Sequence, residues 1–147
     1  LILCNIVTML LSENISVDDY KKNHPYGSIG NKLKQIKDVI INKYPKIIWK
    51  DIHSEIEICD ILLEMTNLKI GYCFFINENN NLIGILTDGD IRRLLLKDNN
   101  KKKIKICDIN TNYYFESDVN KYLKDCCETG YIPIITNNLL IGIIKLN

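Results

Sequence analysis

One short segment of this 147-residue chain combines residue types that bind phosphate groups and sugar hydroxyls. Thr87, Asp88 and Asp90 stand where an apolar, strand-like run gives way to a helical pattern. The first turn of a helix offers unpaired backbone N–H groups and a partial positive charge, so a phosphate or a ribose hydroxyl could dock there. A threonine hydroxyl donates to phosphate oxygens, and an aspartate accepts from ribose hydroxyls. The segment is therefore a candidate binding site.

The only two arginines of the chain, Arg92 and Arg93, follow in the first turns of the same predicted helix. Two neighbouring guanidinium groups in a chain that otherwise uses lysine favour recognition of a phosphate or a carboxylate. A plainer interpretation is that Asp88 or Asp90 caps the helix and that the arginines pair with surface carboxylates. The residues by themselves leave both interpretations open.

The composition excludes some classes of function. The chain has 19 basic and 18 acidic side chains and a net charge of +1, whereas a nucleic-acid binder shows a basic face. It contains 27 Ile, 18 Asn and 17 Lys but no Ala, a bias typical of an AT-rich genome. The abundant residues consequently carry little functional signal, whereas the two arginines carry more.

The apolar run at residues 1–11 is too short to span a membrane and lacks the flanks of a signal peptide. We therefore expect a cytoplasmic protein that binds neither membranes nor nucleic acids. The six cysteines include no C-x-x-C pair and have no histidine at zinc spacing. We expect no metal site and interpret the cysteines as packed thiols in a reducing compartment.

An internal repeat determines the predicted architecture. Residues 36–40 (I-K-D-V-I) and 106–110 (I-C-D-I-N) align, with Asp38 and Asp108 in register. Later in each copy a Gly-Tyr pair precedes an apolar strand, and the sequence L-I-G-I follows at residues 82–85 and 140–143. Two related units therefore follow one another along the chain, the second shorter than the first.

The first unit has a β-α-β-β-α pattern. A strand is predicted at residues 46–50, and Ser54 and Glu57 have the spacing of a capping box for the helix that follows. Strands at 72–76 and 82–87 flank an Asn-rich turn at 77–81, and a second helix starts at Asp88. Trp49 and Tyr72 could flank a ligand cleft, although aromatic residues in strands are more often part of the core.

The second unit repeats this pattern more briefly. We predict a strand at 113–116, a helix capped by Ser117 or Asp118, and a hairpin turn at 136–138. The chain ends where the second helix of this unit would begin. Residues 98–105 are interpreted as a solvated linker, and two helices are predicted ahead of the repeat, at 1–11 and 17–22.

The unit that ends in glycine, two apolar residues, threonine and a later aspartate resembles a CBS (cystathionine β-synthase) motif, and the tandem resembles a CBS pair. The resemblance implies an α/β (α+β) fold of two β-α-β-β-α units about a pseudo-twofold axis, the second without its last helix, preceded by a helical segment. It also implies that adenine nucleotides bind the clefts, with Thr87 and Asp90 contacting phosphate and ribose. The second copy has Lys145 where the threonine would stand.

A narrower resemblance extends over nearly the whole chain. His24-Pro-Tyr-Gly-Ser-Ile-Gly, the Glu64-Met65-Thr66 string and the segment from Thr87 to Arg93 are similar to the C-terminal half of D-arabinose 5-phosphate isomerases. Those enzymes join a sugar isomerase (SIS) domain to a CBS pair and act on the path to the lipopolysaccharide sugar Kdo. The resemblance implies an SIS tail at residues 1–30, CBS domains at 31–100 and 101–147, and an active-site role for His24 in the parent enzyme.

We therefore expect a regulatory nucleotide-binding module without catalysis of its own, since one histidine cannot supply a base, an acid and a phosphate site. The expected site residues are Thr87, Asp88, Asp90, Arg92 and Arg93. The expected ligand is an adenine nucleotide or a CMP-sugar, with no required cofactor. The expected assembly is a homodimer through the CBS pairs, or a tetramer with SIS domains. The alternatives are a structural dimerisation module with an empty cleft and the CBS module of a sugar nucleotidyltransferase.

Overall fold

A parallel strand pair joined through a helix, followed by a hairpin, forms the first unit. The computed structural model describes residues 34–126 and 129–146. Strands β1 (Lys46–Ile48), β3 (Tyr72–Ile76) and β4 (Leu82–Thr87) form one sheet in the order β1-β3-β4. β1 runs parallel to β3, and β3 runs antiparallel to β4. The predicted strands and the turn at 77–81 are confirmed.

Two helices complete the first unit, α1 (Ile58–Leu68) and α2 (Asp88–Lys97). Ile58, Ile61 and Met65 recur at helical spacing on α1 and are buried, and Ile91 is buried on α2. These side chains pack with Trp49, Phe75 and Leu86 in one cluster. Trp49 is only 2% exposed and its indole N–H donates to the carbonyl oxygen of Asp51 at 2.7 Å, so it belongs to the core.

The predicted capping box at Ser54 is wrong. A two-residue strand, β2 (Ile56–Glu57), separates Ser54 from α1 and pairs with β5 (Lys103–Ile104). The backbone N–H of Ile58 donates to the carbonyl of Lys102 at 2.8 Å, while Ser54 Oγ accepts from the N–H of Asp51. Pairing with the segment that was expected to be a solvated linker therefore fixes where α1 begins.

The second unit is centred on one hairpin, β6 (Gly130–Thr136) and β7 (Leu139–Leu146). Asn137 and Asn138 connect the strands with φ angles of 52° and 66°. A two-residue turn with both φ angles positive matches the twist of a hairpin, so the predicted turn is confirmed. The predicted strand at 113–116 is reduced to a single parallel bridge between Glu116 and Ile134.

The helix predicted after Ser117 or Asp118 does not form within residues 117–126. Only a 3₁₀ turn, Leu123–Asp125, occurs there. The carbonyls of Val119 and Lys121 accept from the N–H groups of Lys37 and Ile36 at 2.9 and 3.0 Å. Because those carbonyls bond to another segment, they are not available for the i to i+4 bonds of a helix.

Two arms, related by the repeat, cross between the units. The first arm, residues 34–41, contains the 3₁₀ turn Ile36–Asp38, and the second arm, residues 103–110, contains Ile106–Asp108. Ile36 is buried in the cluster of the second unit, whereas Ile104 and Ile109 are buried in that of the first. Each arm thus completes the core of the other unit. The domain boundaries predicted from the sequence, 31–100 and 101–147, stay a prediction.

The L-I-G-I repeat lies where the arms cross the hairpins. The backbones of Ile85 and Asn110 exchange two hydrogen bonds of 2.9 Å, and Ile143 and Ile41 exchange a corresponding pair. A Cβ atom at Gly84 would lie 2.9 Å from the carbonyl oxygen of Asn110. A Cβ atom at Gly142 would lie 2.5 Å from the Ile40 side chain. Glycine is required because the arm backbone approaches the strand so closely.

A repeated carboxylate holds each arm in shape. Asp38 Oδ2 accepts from the backbone N–H of Gln35 at 2.9 Å, and Asp108 Oδ2 accepts from that of Lys105 at 2.8 Å. Asp108 also pairs with Lys101 at 2.8 Å, and both side chains are largely buried. Burial opposes ionisation of Asp108, but the hydrogen bonds and charges of Lys101 and Lys105 outweigh it and lower its pKa.

Residues 1–33 lie outside the described part of the chain. The predictions that fall there are the helices at 1–11 and 17–22, the SIS tail at 1–30 and His24. Among the described residues, no helix is long and apolar enough to cross a membrane.

We expect Gly84→Ala to lower the free energy of unfolding by about 2 kcal/mol, because the new Cβ meets a backbone oxygen that side-chain rotation cannot move. Equilibrium urea unfolding measures the change. Gly89→Ala is the matched control, since its Cβ would have no neighbour closer than 3.7 Å and the residue lies within α2. Equal stability of the two variants would contradict the role assigned to Gly84.

We expect Asp108→Ala to lower the free energy of unfolding by about 2 kcal/mol, because it removes charge-assisted hydrogen bonds. Asp38→Ala should lower the free energy of unfolding by less, since Asp38 is exposed. A carboxyl with a lowered pKa stabilises the fold above the pKa of the unfolded chain, about 3.9, and this contribution is lost as the pH falls through the folded value. Unfolding curves below about pH 4 should therefore show a weaker pH dependence in Asp108→Ala than in the parent. An unchanged slope would contradict this account.

Candidate functional site

A cavity of about 310 Å³ opens at the junction of the two units. The first unit contributes side chains from the ends of β3, β4 and the start of α2. The second contributes the segment after its arm and the start of β6. The described lining residues are Tyr72, Ile85, Thr87, Asp90, Asn110, Asn112, Tyr113, Tyr114, Thr129, Tyr131 and Ile132.

Strand register and arm crossing bring these residues together. Tyr72 pairs with Thr87 across β3 and β4, so both lie at the same edge of the sheet. Ile85 pairs with Asn110 at the end of the second arm, so the chain that follows Asn110 lies across this edge of the sheet. Tyr131 holds in the second unit the place of Tyr72 in the first, and their ring centroids are 5.3 Å apart. The cavity therefore exists only because both units contribute to it.

Thr87 and Asp90 form a capping box at the start of α2. Asp90 Oδ2 accepts from the Thr87 N–H at 2.9 Å and from its hydroxyl at 2.6 Å, and Thr87 Oγ1 accepts from the Asp90 N–H at 3.2 Å. Burial opposes ionisation of Asp90, but these bonds and Arg93 outweigh it and lower its pKa. Asp90 is consequently a carboxylate at neutral pH, held rigidly at the cavity wall.

The other predicted site residues lie beside the cavity and do not line it. Arg93 donates to Asp90 Oδ1 at 2.5 Å, and Arg92 donates to Asp88 Oδ2 at 2.7 Å. The arginine side chains are 68% and 75% exposed respectively. The structure thus brings Thr87 and Asp90 together at the cavity and pairs both arginines with carboxylates of their own helix.

The N-terminus of α2 is less open than the sequence suggested. The N–H of Asp88 donates to the carbonyl of Gly71 at 3.0 Å, and that of Asp90 donates to Thr87 Oγ1. Two N–H groups that a phosphate would use are therefore already bonded within the protein.

Sequence reasoning missed most of the second unit's share of the site. Tyr113 donates its hydroxyl to the carbonyl of Leu82 at 2.9 Å, and burial raises its pKa. Tyr114 donates to Glu116, which is buried and pairs with Lys121. The repeated Gly-Tyr pair was a usable signal for Tyr131, but nothing in the local sequence marks Tyr113 or Tyr114 as facing a cavity.

The second unit differs at the position that corresponds to Thr87. Lys145 pairs with Tyr131 across β6 and β7, as Thr87 pairs with Tyr72. Its ammonium lies 5.7 Å from the centroid of the Tyr131 ring, within the range of a cation–π contact. The two units thus have the same strand register at this position, but the second has a lysine where the first has a threonine.

Cys73, on β3, is fully buried in the apolar cluster of the first unit. Burial raises the pKa of its thiol to about 12, and the charge of Glu64 adds to the effect. The thiol therefore stays protonated at neutral pH, which suits a packed side chain and not a nucleophile.

Residues 36–97 match the family model of the CBS domain. An uncharacterised Helicobacter pylori protein is 34% identical over 90 residues, which span 60% of this chain and 26% of that protein. The arabinose 5-phosphate isomerase KdsD of Salmonella typhi is 28% identical over 105 residues, which span 71% of this chain and 31% of the enzyme. The chain thus covers about a third or less of the length of these relatives.

Solved structures agree with the observed topology. A conserved protein of Pyrococcus horikoshii superposes with a TM-score of 0.62 at 18% identity, covering 78% of this chain and 87% of that one. The CBS domain pair of protein MJ0100, solved in complex with 5′-methylthioadenosine and S-adenosyl-L-methionine, gives 0.57 at 18% identity, covering 76% and 92%. The described chain therefore has the fold of a tandem CBS pair, and residues 36–97, which match the CBS domain model, form most of its first unit.

Proposed function

We propose that this chain is a regulatory CBS module that binds an adenine nucleoside or nucleotide at the junction of its two units. The observation that carries the proposal is the cavity of about 310 Å³, whose wall holds a fixed carboxylate, two threonines and four tyrosine rings. Asp90 would accept hydrogen bonds from ribose hydroxyls, and the rings would pack against a base. The complex of the MJ0100 pair with two adenine nucleosides supports this ligand class.

The position of the cavity supports a regulatory role. Both units supply its wall, so a ligand that fits one arrangement of the units better than another shifts the balance between them. That shift is limited by the difference in affinity for the two arrangements. A module of this kind would transmit ligand binding to whatever domain or second copy is attached to it.

We further propose that the attached activity is that of a sugar-phosphate isomerase acting on D-ribulose 5-phosphate and D-arabinose 5-phosphate. The similarity to KdsD over 105 residues supports this parentage. The His24-Pro-Tyr-Gly motif, outside the described residues, supports it as well. In this proposal His24 belongs to the active site of the parent enzyme, and a homodimer through CBS pairs, or a tetramer with SIS domains, is the assembly that carries the signal.

We expect AMP or adenosine to raise the melting temperature of the 147-residue chain. Binding to the folded state alone stabilises it by about 2.7 kcal/mol at a hundredfold excess over the dissociation constant. Asp90→Ala should remove the shift, because it removes the acceptor for ribose. Differential scanning fluorimetry measures the melting temperature of both proteins with each ligand. CMP-Kdo is tested separately, as the alternative ligand of the CMP-sugar class.

Asp60→Ala is the matched control for that experiment. Asp60 is the third residue of α1, as Asp90 is the third residue of α2, and it is exposed. It should keep the full ligand-induced shift. A shift that survives in Asp90→Ala would refute the proposed site, and no shift with any ligand would favour the structural dimerisation module with an empty cleft.

We expect the 147-residue chain alone to show no isomerase activity, because His24 cannot act as base, acid and phosphate ligand at once. Incubation with D-ribulose 5-phosphate, followed by chromatographic separation of the two pentose phosphates, measures this. Conversion that His24→Ala abolishes would show that the chain carries a complete active site and would overturn this part of the proposal.

A further inference from the structure

The turn groove, a second space of about 450 Å³, lies where the turns of the two hairpins meet. Tyr113 is the one described residue that lines both this groove and the junction cavity. The two spaces therefore adjoin at Tyr113. The described lining of the turn groove consists of uncharged residues from both units: Asn81, Leu82, Tyr113, Phe115, Ile135, Asn137 and Asn138.

The turn groove and the junction cavity lie end to end between the two hairpins. Along β4, Leu82 lines the groove, whereas Ile85 lines the cavity. Along β6, Ile135 lines the groove, whereas Ile132 lines the cavity. A strand advances about 3.3 Å per residue, so each strand leads from one space to the other within about 10 Å. The two spaces are thus parts of one furrow that Tyr113 divides.

The ring of Tyr113 is held in this dividing position. Its hydroxyl donates to the carbonyl oxygen of Leu82 at 2.9 Å. Its side chain packs against an apolar cluster that includes Ile85 of the first hairpin and Leu140 of the second. Burial raises the pKa of the hydroxyl, which therefore remains a donor at neutral pH. Displacing the ring would break the hydrogen bond and these packing contacts together.

The position of Tyr113 relative to Asp90 determines which part of a ligand meets the ring. Thr87 ends β4 and forms the capping box with Asp90, whereas Leu82 begins β4. At about 3.3 Å per residue, Leu82 and Thr87 are about 16 Å apart along the strand. The carboxylate of Asp90 and the hydroxyl of Tyr113 therefore lie toward opposite ends of the cavity. A nucleoside whose sugar contacts Asp90 would extend its base toward Tyr113.

We infer that Tyr113 is the specificity-determining residue that closes the junction cavity toward the turn groove and limits the site to nucleosides whose base carries no bulky substituent. The inference rests on the proposed function and names its ligand class more narrowly. The ring acts by occupying space, because a substituent on the base would have to enter the position that the ring fills. Without the ring the cavity would open into the groove, whose aromatic, aliphatic and amide side chains suit an uncharged substituent.

Isothermal titration of the 147-residue chain with adenosine, N6-benzyladenosine and 8-benzylaminoadenosine tests the inference. The two analogues carry an additional aromatic ring at opposite edges of the base. The dissociation constant of at least one analogue should exceed that of adenosine about tenfold or more, because the filled position cannot accept the ring. In Tyr113→Ala the ratio of these two constants should fall about tenfold, since the substituent gains access to the turn groove.

Tyr113→Leu is the second variant, because it keeps apolar packing contacts and should fold even where Tyr113→Ala does not. Leucine is too short to reach the carbonyl of Leu82, so the same ratio should fall in this variant as well. Phe115→Ala is the matched control, since Phe115 is the neighbouring aromatic residue and lines only the groove. Its truncation leaves the partition in place and should leave the ratio unchanged. Circular dichroism melts verify that each variant is folded.

The failures of the two proposals are distinguishable. If both analogues bind the parent chain as tightly as adenosine, or if the folded Tyr113 variants keep the ratio of the parent, the size limit is overturned while the proposed nucleoside site stands. A ratio that Phe115→Ala lowers as much as Tyr113→Ala would also overturn the role of Tyr113. If adenosine binds neither the parent nor the variants, the proposed function itself fails, and the inference fails with it.

Discussion

The reciprocal crossing of the two arms is the constraint on which the rest of the structure depends. Each arm forms two backbone hydrogen bonds to the last strand of the other unit's hairpin, Ile85 with Asn110 and Ile143 with Ile41. The approach is so close that the strand has a glycine at each crossing. Because Ile36 and Ile104 are fully buried in the opposite unit, neither unit has a complete core without the other's arm. We therefore expect the two units to fold and pack together as one structural unit.

The candidate site follows from the same crossing. The second arm leads the chain across the edge of the first sheet, and Asn110, Asn112 and Tyr113 thereby come to face Thr87 and Asp90. The residues with the clearest sequence signal form only one wall of the cavity. Their capping box gives that wall a fixed shape and charge, since Asp90 accepts three hydrogen bonds from within α2 and its cap. The same bonds that stabilise the helix thus determine what a ligand meets.

The asparagines show how composition can mislead. Eighteen of them in an isoleucine- and lysine-rich chain were interpreted as genomic bias with little meaning. Asn80, Asn137 and Asn138 adopt positive φ angles at the two hairpin turns, a conformation that asparagine accepts more readily than most residues. Asn80 also exchanges hydrogen bonds with the backbone of Leu140, so the turn of the first unit contacts the hairpin of the second. The compositional bias thus accounts for the number of asparagines, while the fold places three of them at turn positions that need a positive φ angle.

The sequence by itself determined the repeat, the strands of both hairpins, their turns and the start of α2, because these depend on local patterns of apolar residues, turn residues and caps. It also identified Thr87 and Asp90, which occupy adjacent positions in a helix cap. Only the tertiary structure decided that Ser54 does not cap α1, that residues 117–126 form no α-helix, and that Tyr113 and Tyr114 face the cavity. In the first two cases a backbone partner comes from the other unit, as with Lys102 and Ile58 or Lys37 and Val119. In the third, the Tyr113 hydroxyl donates to the carbonyl of Leu82 in the first unit. Contacts between residues so distant in sequence leave no periodic signal, because the geometry that brings them together exists only once both units have packed.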